Sequence, residues 1–261
     1  MTTMRAAIFQ ARSAGQSLAK RLGELEKNLA RDNLDLLVCP ELYLSGYNVG
    51  DTLSLLAQPV DGEHVQQIAA LAIKYQCAIV YGYPERAHDG GLFNAAACVD
   101  KAGENIAHHR KLMIPPGFEQ DVFDSGSKLT LFQLGEFKCA LLICYDAEYP
   151  EAVRAAAQTG AQVIIVPTAL SENWGSVATQ MMPTRAFENG VWFLYANHAG
   201  EENGLRYYGG SCIVTPDGTD AARAGAQEEL IIAELDLTQV TTAQNRLPYL
   251  RGAEQLDLKS S

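Results

Sequence analysis

The strongest constraint on the fold is a series of apolar runs, too short for helices, separated by amphipathic stretches. The clearest, Leu34 to Cys39, is continuous and bounded by Asn33 and Pro40, so it reads as a strand buried on both faces. Met4 to Gln10 precedes it, and Ala78 to Tyr83, Gln162 to Val166 and Val191 to Ala196 follow as strands. Between them lie helical patterns. Ser17 to Ala30 places Leu18, Leu22, Leu25 and Leu29 at three-to-four spacing. A second helix opens at Asp61-Gly62 and runs to Tyr75, with Val65, Ile68, Ala69 and Ala72 on one face. Pro150 starts another, in keeping with proline in a first turn, and it runs to Thr159. Val177 to Glu188 and Thr238 to Asn245 read as two more.

Hairpins interrupt this alternation. Phe93 to Val99 and Asn105 to His109 flank the turn Asp100-Lys-Ala-Gly103, and Leu129 to Leu134 and Phe137 to Ile143 flank Gly135-Glu136. Gly210 to Val214 and Leu230 to Leu235 close the sheet region, and the last ten or so residues read as a polar tail. The pattern predicts an α/β sandwich of layered sheet and helix with mixed strand directions. No linker rich in Pro, Gly or Ser divides the 261 residues, so one domain is expected, and 48% hydrophobic residues supply its core. The shared βαβ style of the two halves hints at duplication.

Charge and cysteines narrow the chemistry. A net charge of −11 argues against nucleic acid or an anionic membrane as the main partner. No basic start leads into an apolar run as in a signal peptide, and no window approaches the roughly 18 apolar residues of a membrane span. A cytoplasmic location is therefore expected. There are six cysteines, none in a Cys-x-x-Cys pair. Five sit in apolar, strand-like runs and read as buried free thiols, which leaves Cys144 for chemistry.

Three loops with unusual content leave the C-terminal ends of predicted strands, where α/β folds place their sites. Cys39-Pro-Glu-Leu-Tyr-Leu-Ser-Gly-Tyr47 puts Glu41 directly after a strand. His108-His-Arg-Lys-Leu-Met-Ile-Pro-Pro116 puts Lys111 before a proline-rich loop. Leu141-Leu-Ile-Cys-Tyr-Asp-Ala-Glu-Tyr-Pro-Glu151 ends an apolar strand at Cys144, just ahead of a helix, as in a nucleophile elbow. His108 and His109 suggest no metal site, because neighbouring strand residues face opposite ways. A thiol with an ordinary pKa of about 8.5 needs a base or a nearby cation. A buried carboxylate can be that base, and a lysine can stabilise thiolate and oxyanion. Glu41, Lys111 and Cys144 offer that set.

These three segments resemble the Glu-Lys-Cys triad of the nitrilase superfamily, the carbon–nitrogen hydrolases. Phe93-Asn-Ala-Ala, Phe118-Glu119 with Phe123 and Gly126, and Arg185-Ala-Phe-Glu-Asn189 followed by Ala196-Asn197 resemble further motifs of the family. The resemblance runs from about residue 4 to 236. It implies a four-layer αββα sandwich, pairing into a homodimer, a covalent thioester intermediate and no cofactor. It also implies roles: Cys144 attacks, Glu41 moves the proton, and Lys111 with the Tyr145 backbone N–H holds the oxyanion. Glu119 matches a second glutamate that orients Lys111 or the substrate, although Gly117-Phe118-Glu119 departs from the frequent Phe-Gly-Glu order.

The branch is read from the residues around the cysteine. Cys-Tyr-Asp resembles amidases rather than the Cys-Trp-Glu of true nitrilases. With Ser45-Gly-Tyr47 and Asn48-Val-Gly-Asp51 the chain resembles aliphatic amidases of the 5-aminopentanamidase type, which implies a small amide as substrate and adds Tyr47 as a substrate-binding candidate. N-carbamoyl-amine hydrolases, ω-amidases and nitrilases are alternatives, and an inactive binding or regulatory homologue is a reading of another class. The ω-amidase pattern has Arg where this chain has Glu148, with Asp146 and Glu151 nearby. Glu148 either faces the substrate, favouring a neutral or cationic amide, or is a structural acid at the helix start.

Overall fold

The computed structural model describes residues 2–256. The first half runs β1 (Thr3–Gln10), β2 (Arg12–Ser13), α1 (Leu18–Leu29), β3 (Leu36–Val38), α2 (Thr52–Leu56), α3 (Glu63–Tyr75), β4 (Ala78–Arg86), β5 (Leu92–Val99), β6 (Asn105–Arg110) and α4 (Phe118–Val122). The second runs β7 (Thr130–Leu134), β8 (Phe137–Leu141), α5 (Pro150–Gln158), β9 (Val163–Pro167), α6 (Met182–Asn189) and β10 (Trp192–Ala196). It continues through β11 (Ala199–Glu202), β12 (Leu205–Arg206), β13 (Cys212–Val214), β14 (Asp220–Arg223), β15 (Glu229–Asp236), α7 (Leu237–Arg246) and α8 (Tyr249–Glu254).

Two six-stranded sheets form the centre, in the orders β15-β1-β3-β4-β5-β6 and β7-β8-β9-β10-β13-β14. Each has three parallel strands in the middle, one antiparallel strand on one side and an antiparallel pair on the other. Read in these directions the sheets match strand for strand in order and direction, although β15 comes from the far end of the sequence while its counterpart β7 directly precedes β8.

Side-chain alternation builds the layers. Along β1, Met4, Ala6 and Ile8 join the core between the sheets, while Ala7 and Phe9 join Leu25, Leu29, Ile68 and Ala72 of α1 and α3. Along the second sheet, Leu141, Ile165 and Leu194 face the first sheet, while Ala140, Ile164 and Phe193 pack with Val153, Ala156 and Ala186 of α5 and α6. The order is helix, sheet, sheet, helix, as the resemblance implied. With both sheet faces covered, the central strands carry apolar residues on both sides. Local signals set the ends: the Ser17 hydroxyl accepts from the Lys20 N–H at the start of α1, and Pro150 is the first residue of α5.

Some boundaries differ from the sequence reading. The run Leu34 to Cys39 gives only Leu36–Val38 to the sheet, because Pro40 turns the chain. The helix expected from Val177 begins as a π-helical turn, Val177–Met181, before α6. The expected polar tail starts as α8, and residues 257–261 lie outside the described residues. β2, β11 and β12 form a small third sheet that was not foreseen, since strands of two to four residues leave no periodicity to read.

Candidate active site

Glu41 lies three residues beyond β3, Lys111 directly after β6, and Cys144 three residues beyond β8. The first sheet therefore supplies an acid and a cation, and the second supplies the thiol. Their meeting point is the seam between the sheets.

The turn at Cys144 is an unusual piece of backbone. Cys144 has φ +46°, in the left-handed region, and opens a 3-10 turn, Cys144–Glu148. One buried carboxylate holds this geometry. Asp146 accepts hydrogen bonds from Ile143 N–H at 3.0 Å, Leu112 N–H at 2.9 Å, Met113 N–H at 2.8 Å and His109 Nε2 at 3.0 Å. It ties the cysteine turn to the loop that follows Lys111. The sequence reading noted Asp146 only as an acid near Glu148. In the fold it is buried and turned towards backbone amides. His108 and His109 do point to opposite faces, His108 to Glu85 and His109 to Asp146 and Thr130.

Beneath Cys144 lies a dry cluster. Lys111 Nζ donates to Glu41 Oε1 at 2.7 Å and to both oxygens of Glu119 at 2.8 Å. Asn94 Nδ2 donates to Glu41 Oε1 at 2.7 Å and to Glu119 Oε2 at 3.0 Å, and the Tyr47 hydroxyl donates to Glu119 Oε1 at 2.6 Å. Glu41, Asn94, Lys111 and Glu119 are at most 1% exposed. Glu41 Oε2 has no hydrogen-bond partner among the described residues. From behind, His198 Nε2 donates to the Glu41 carbonyl at 2.7 Å. Burial holds that imidazole's pKa down to about 4, so it is neutral.

The electrostatics follow from two carboxylates sharing one ammonium. Burial, opposed by Lys111 and reinforced by Glu119, raises Glu41 to about 7. Burial works against the charge on Lys111, but Glu41 and Glu119 outweigh it and push its pKa up. The Cys144 thiol is also pushed up, first by burial and then by Glu41. The sequence reading gave Cys144 a stabilised thiolate. The structure corrects this: the resting group is a thiol, and the nearby Lys111 does not offset its burial. All six cysteines are buried, and Cys144, at 8%, is the most exposed of them.

Above the thiol opens a cavity of about 680 Å³. Tyr47, Phe118, Cys144, Tyr145, Glu148 and Trp174 line it, with Leu170, Val177 and Leu205 adding apolar wall. Glu148 is the one charged residue in that lining. Its side chain makes no hydrogen bond to the described residues, and burial raises its pKa against the pull of Lys111 and Arg185. Arg185 fixes the turn beneath, donating to the carbonyls of Ala147 at 3.3 Å and Glu148 at 2.8 Å. Tyr145 is the second residue of the 3-10 turn, where backbone N–H groups lack an acceptor within the helix.

The structure thus brings Glu41, Lys111, Glu119 and Cys144 into one cluster and sets Tyr47, Tyr145 and Glu148 on the cavity wall. The reversed Gly117-Phe118 order does not keep Glu119 away from Lys111. Gly117 takes φ +123°, a conformation that favours glycine, and α4 then turns Glu119 inward. Sequence reasoning missed the tasks of Asn94, Asp146 and His198. Asn94 lay inside a segment already singled out, and that was the only signal for it.

A cysteine beside a carboxylate–lysine pair on this double sandwich is a recognisable arrangement. The sequence matches the Carbon-nitrogen hydrolase family over residues 5–245. A Pseudomonas protegens protein named "Hydrolase in pqqF 5'region" is 40% identical over 260 residues, covering 98% of this chain and 91% of that one. An (R)-stereoselective amidase from a Pseudomonas species is 34% identical, covering 90% and 88%. The crystal structure of an amidase from Nesterenkonia sp. superposes with a TM-score of 0.84 at 30% identity, covering 97% and 96%. The chain belongs to the carbon–nitrogen hydrolase family, within the nitrilase superfamily. Inside that family it is an amidase-type hydrolase of non-peptide carbon–nitrogen bonds.

Proposed function

We propose that the protein hydrolyses a small aliphatic amide to a carboxylic acid and ammonia, with Cys144 as nucleophile. The observation that carries the reading is the unpartnered Glu41 Oε2, on a carboxylate whose raised pKa suits it to accept a proton. As Sγ attacks the amide carbon, Glu41 takes the thiol proton. The remaining Lys111–Glu119 pair is neutral overall, so protonation relieves the excess negative charge of the cluster. Lys111 and the Tyr145 N–H hold the developing oxyanion. Glu41 then gives the proton to the departing nitrogen, leaving a thioester. Finally it takes a proton from the water that attacks the thioester, and the thiol is restored. Glu119 holds Lys111. No cofactor is needed for this sequence of steps.

The cavity supports a short, largely apolar acyl chain. Glu148 disfavours a distal carboxylate and suits a neutral or ammonium end, as in a 5-aminopentanamide-like compound. The Nesterenkonia amidase gives independent precedent for its own cysteine: a variant of it carries acrylamide added at the active-site cysteine. Ammonia release from a panel of short amides, carbamoyl compounds and nitriles tests the reading. Turnover of nitriles or carbamoyl compounds alone would overturn the amide preference. A homodimer is part of the same proposal, supported by the exposed rings of Phe187 and Tyr249, which meet at 6.0 Å on the outer helices. A 28.3 kDa particle in light scattering would refute it. A cytoplasmic location completes the reading, and among the described residues no helix is long and apolar enough to cross a membrane.

A further inference from the structure

A second buried polar cluster lies behind the Glu41 loop, built from elements remote in sequence. Glu202, at the end of β11, is 2% exposed, and Arg21 of α1 is 1% exposed. Glu202 Oε2 accepts from the backbone N–H of Tyr47 at 2.9 Å, from that of Asn48 at 2.8 Å and from the Tyr207 hydroxyl at 3.0 Å. Its other oxygen pairs with Arg21 Nη2 at 3.4 Å. Asn48 and Asn203 add a reciprocal clasp, each amide donating to the other's carbonyl, at 3.2 and 2.7 Å. Gly46 has φ +90°, and a Cβ there would run into both Glu202 and Arg21. The loop is thus shaped around this ion pair.

We infer that Glu202, anchored by Arg21, is a positioning residue for the reaction: it fixes the backbone at Tyr47 so that the Tyr47 hydroxyl holds Glu119 against Lys111. The chain of contacts is unbroken. Glu202 grips Tyr47 N–H, Tyr47 OH donates to Glu119 Oε1 at 2.6 Å, and Glu119 holds Lys111 Nζ at 2.8 Å. The same grip sets the Tyr47 ring in the cavity wall. Four donors converging on one buried oxygen pair require a carboxylate. Burial raises the Glu202 pKa, but the Asn48 N–H and Arg21 work against it and the group is held below the usual range. A glutamine cannot substitute, because its NH2 would face either a backbone N–H or the guanidinium. The small third sheet, which has no part in either core sheet, gains a purpose as the element that carries Glu202 to this point.

The inference rests on the proposed amidase reading and is tested by a double-mutant cycle. Glu202→Gln is expected to lower kcat by about 10²-fold, the cost of displacing reacting groups by an ångström. Tyr47→Phe is expected to lower kcat in the same direction, and the double variant to fall no further than Glu202→Gln alone. Circular dichroism checks that each variant is folded at the assay temperature. Losses that multiply in the double variant, or an unchanged kcat in Glu202→Gln, would overturn the inference. If Glu202→Gln does not fold, Tyr207→Phe removes one donor to the same oxygen, and its smaller loss must likewise vanish in the Tyr47→Phe background. If the wild type releases ammonia from no amide, the amidase reading has failed. The cycle is then read in the rate of Cys144 alkylation by iodoacetamide, where multiplying effects again overturn the inference.

Discussion

Below Cys144 the molecule is closed, and among the side chains of Glu41, Asn94, Lys111 and Glu119 only Glu41 Oε2 and the Asn94 oxygen lack a partner among the described residues. Above it the cavity is open, and a single charged side chain stands among apolar walls. The cluster below consists of buried charges held at 2.6–3.0 Å, so removing one leaves others unpaired in a dry setting. The wall above includes Phe118 at 37% exposure and Trp174 at 61%, whose replacement exposes little new polar surface. Reaction type is thus tied to the floor and substrate choice to the wall.

The comparison breaks most visibly at the nucleophile. Cys144→Ala is expected to abolish ammonia release while preserving the fold, because β8 and the Asp146 bonds, not the thiol, hold the turn. Hydrolysis retained by the purified variant would remove Cys144 from its role. Glu41→Gln, which keeps the shape but cannot accept the thiol proton, is expected to lower kcat/KM by roughly 10²–10⁴-fold. Lys111→Ala is expected to cost about 2.7–4 kcal/mol of transition-state stabilisation, as for an oxyanion-hole donor. Its Tm should fall as well, since two buried carboxylates are left facing each other. Near wild-type rates in either variant would separate the floor from the chemistry.

Acidity sharpens the contrast. Glu41 must be ionised to act as base, so kcat/KM is expected to fall as the pH drops through about 7. The Asn94 amide lowers that value by donating to the carboxylate. Asn94→Ala should therefore move the acid limb to higher pH; a shift to lower pH would contradict the assigned hydrogen bond. The smallest effect is expected at the wall. Glu148→Gln should leave pentanamide turnover nearly unchanged and lower the preference for 5-aminopentanamide over it by about tenfold, since a half-buried charge is worth somewhat more than the roughly 1 kcal/mol of an exposed pair. A wild type that prefers glutaramate would reverse the proposed charge rule, and equal rates for 5-aminopentanamide and pentanamide would leave Glu148 a bystander.

How much of this was legible in the sequence depended on range. The strands and helices that build both sheets carry their own periodicity, so Met4 to Gln10 or Pro150 to Thr159 could be read within a residue or two. Glu41 and Cys144 were legible because each stands just past an apolar strand, whereas Lys111, between His108-His-Arg110 and Leu112-Met-Ile114, was legible only in combination with them. Glu119 was reached only through resemblance. Glu202 and Arg21 were not legible at all: they are 181 residues apart, and nothing local distinguishes either from a surface charge. The task of Asp146 was missed for a related reason. Three of its four donors lie in residues 109–113, more than thirty residues away, and a sequence shows an acid beside the cysteine without showing which way it turns. The thiolate expectation failed because nearby Lys111 was counted and the degree of burial was not.

The pairing of β1 with β15 places Thr3 opposite Asp236 and Gln10 opposite Glu229. The second sheet, by contrast, is built wholly from residues 130–223. During synthesis the sheet that carries Cys144 can close on itself first. The sheet that carries Glu41 and Lys111 must keep β1 waiting, with one row of backbone amides unpaired, until residues 229–236 have emerged. Such a bare strand invites pairing with a neighbouring chain. The pairing of β1 is completed only when β15 is available, and until then its open edge is the part of the first sheet most exposed to aggregation.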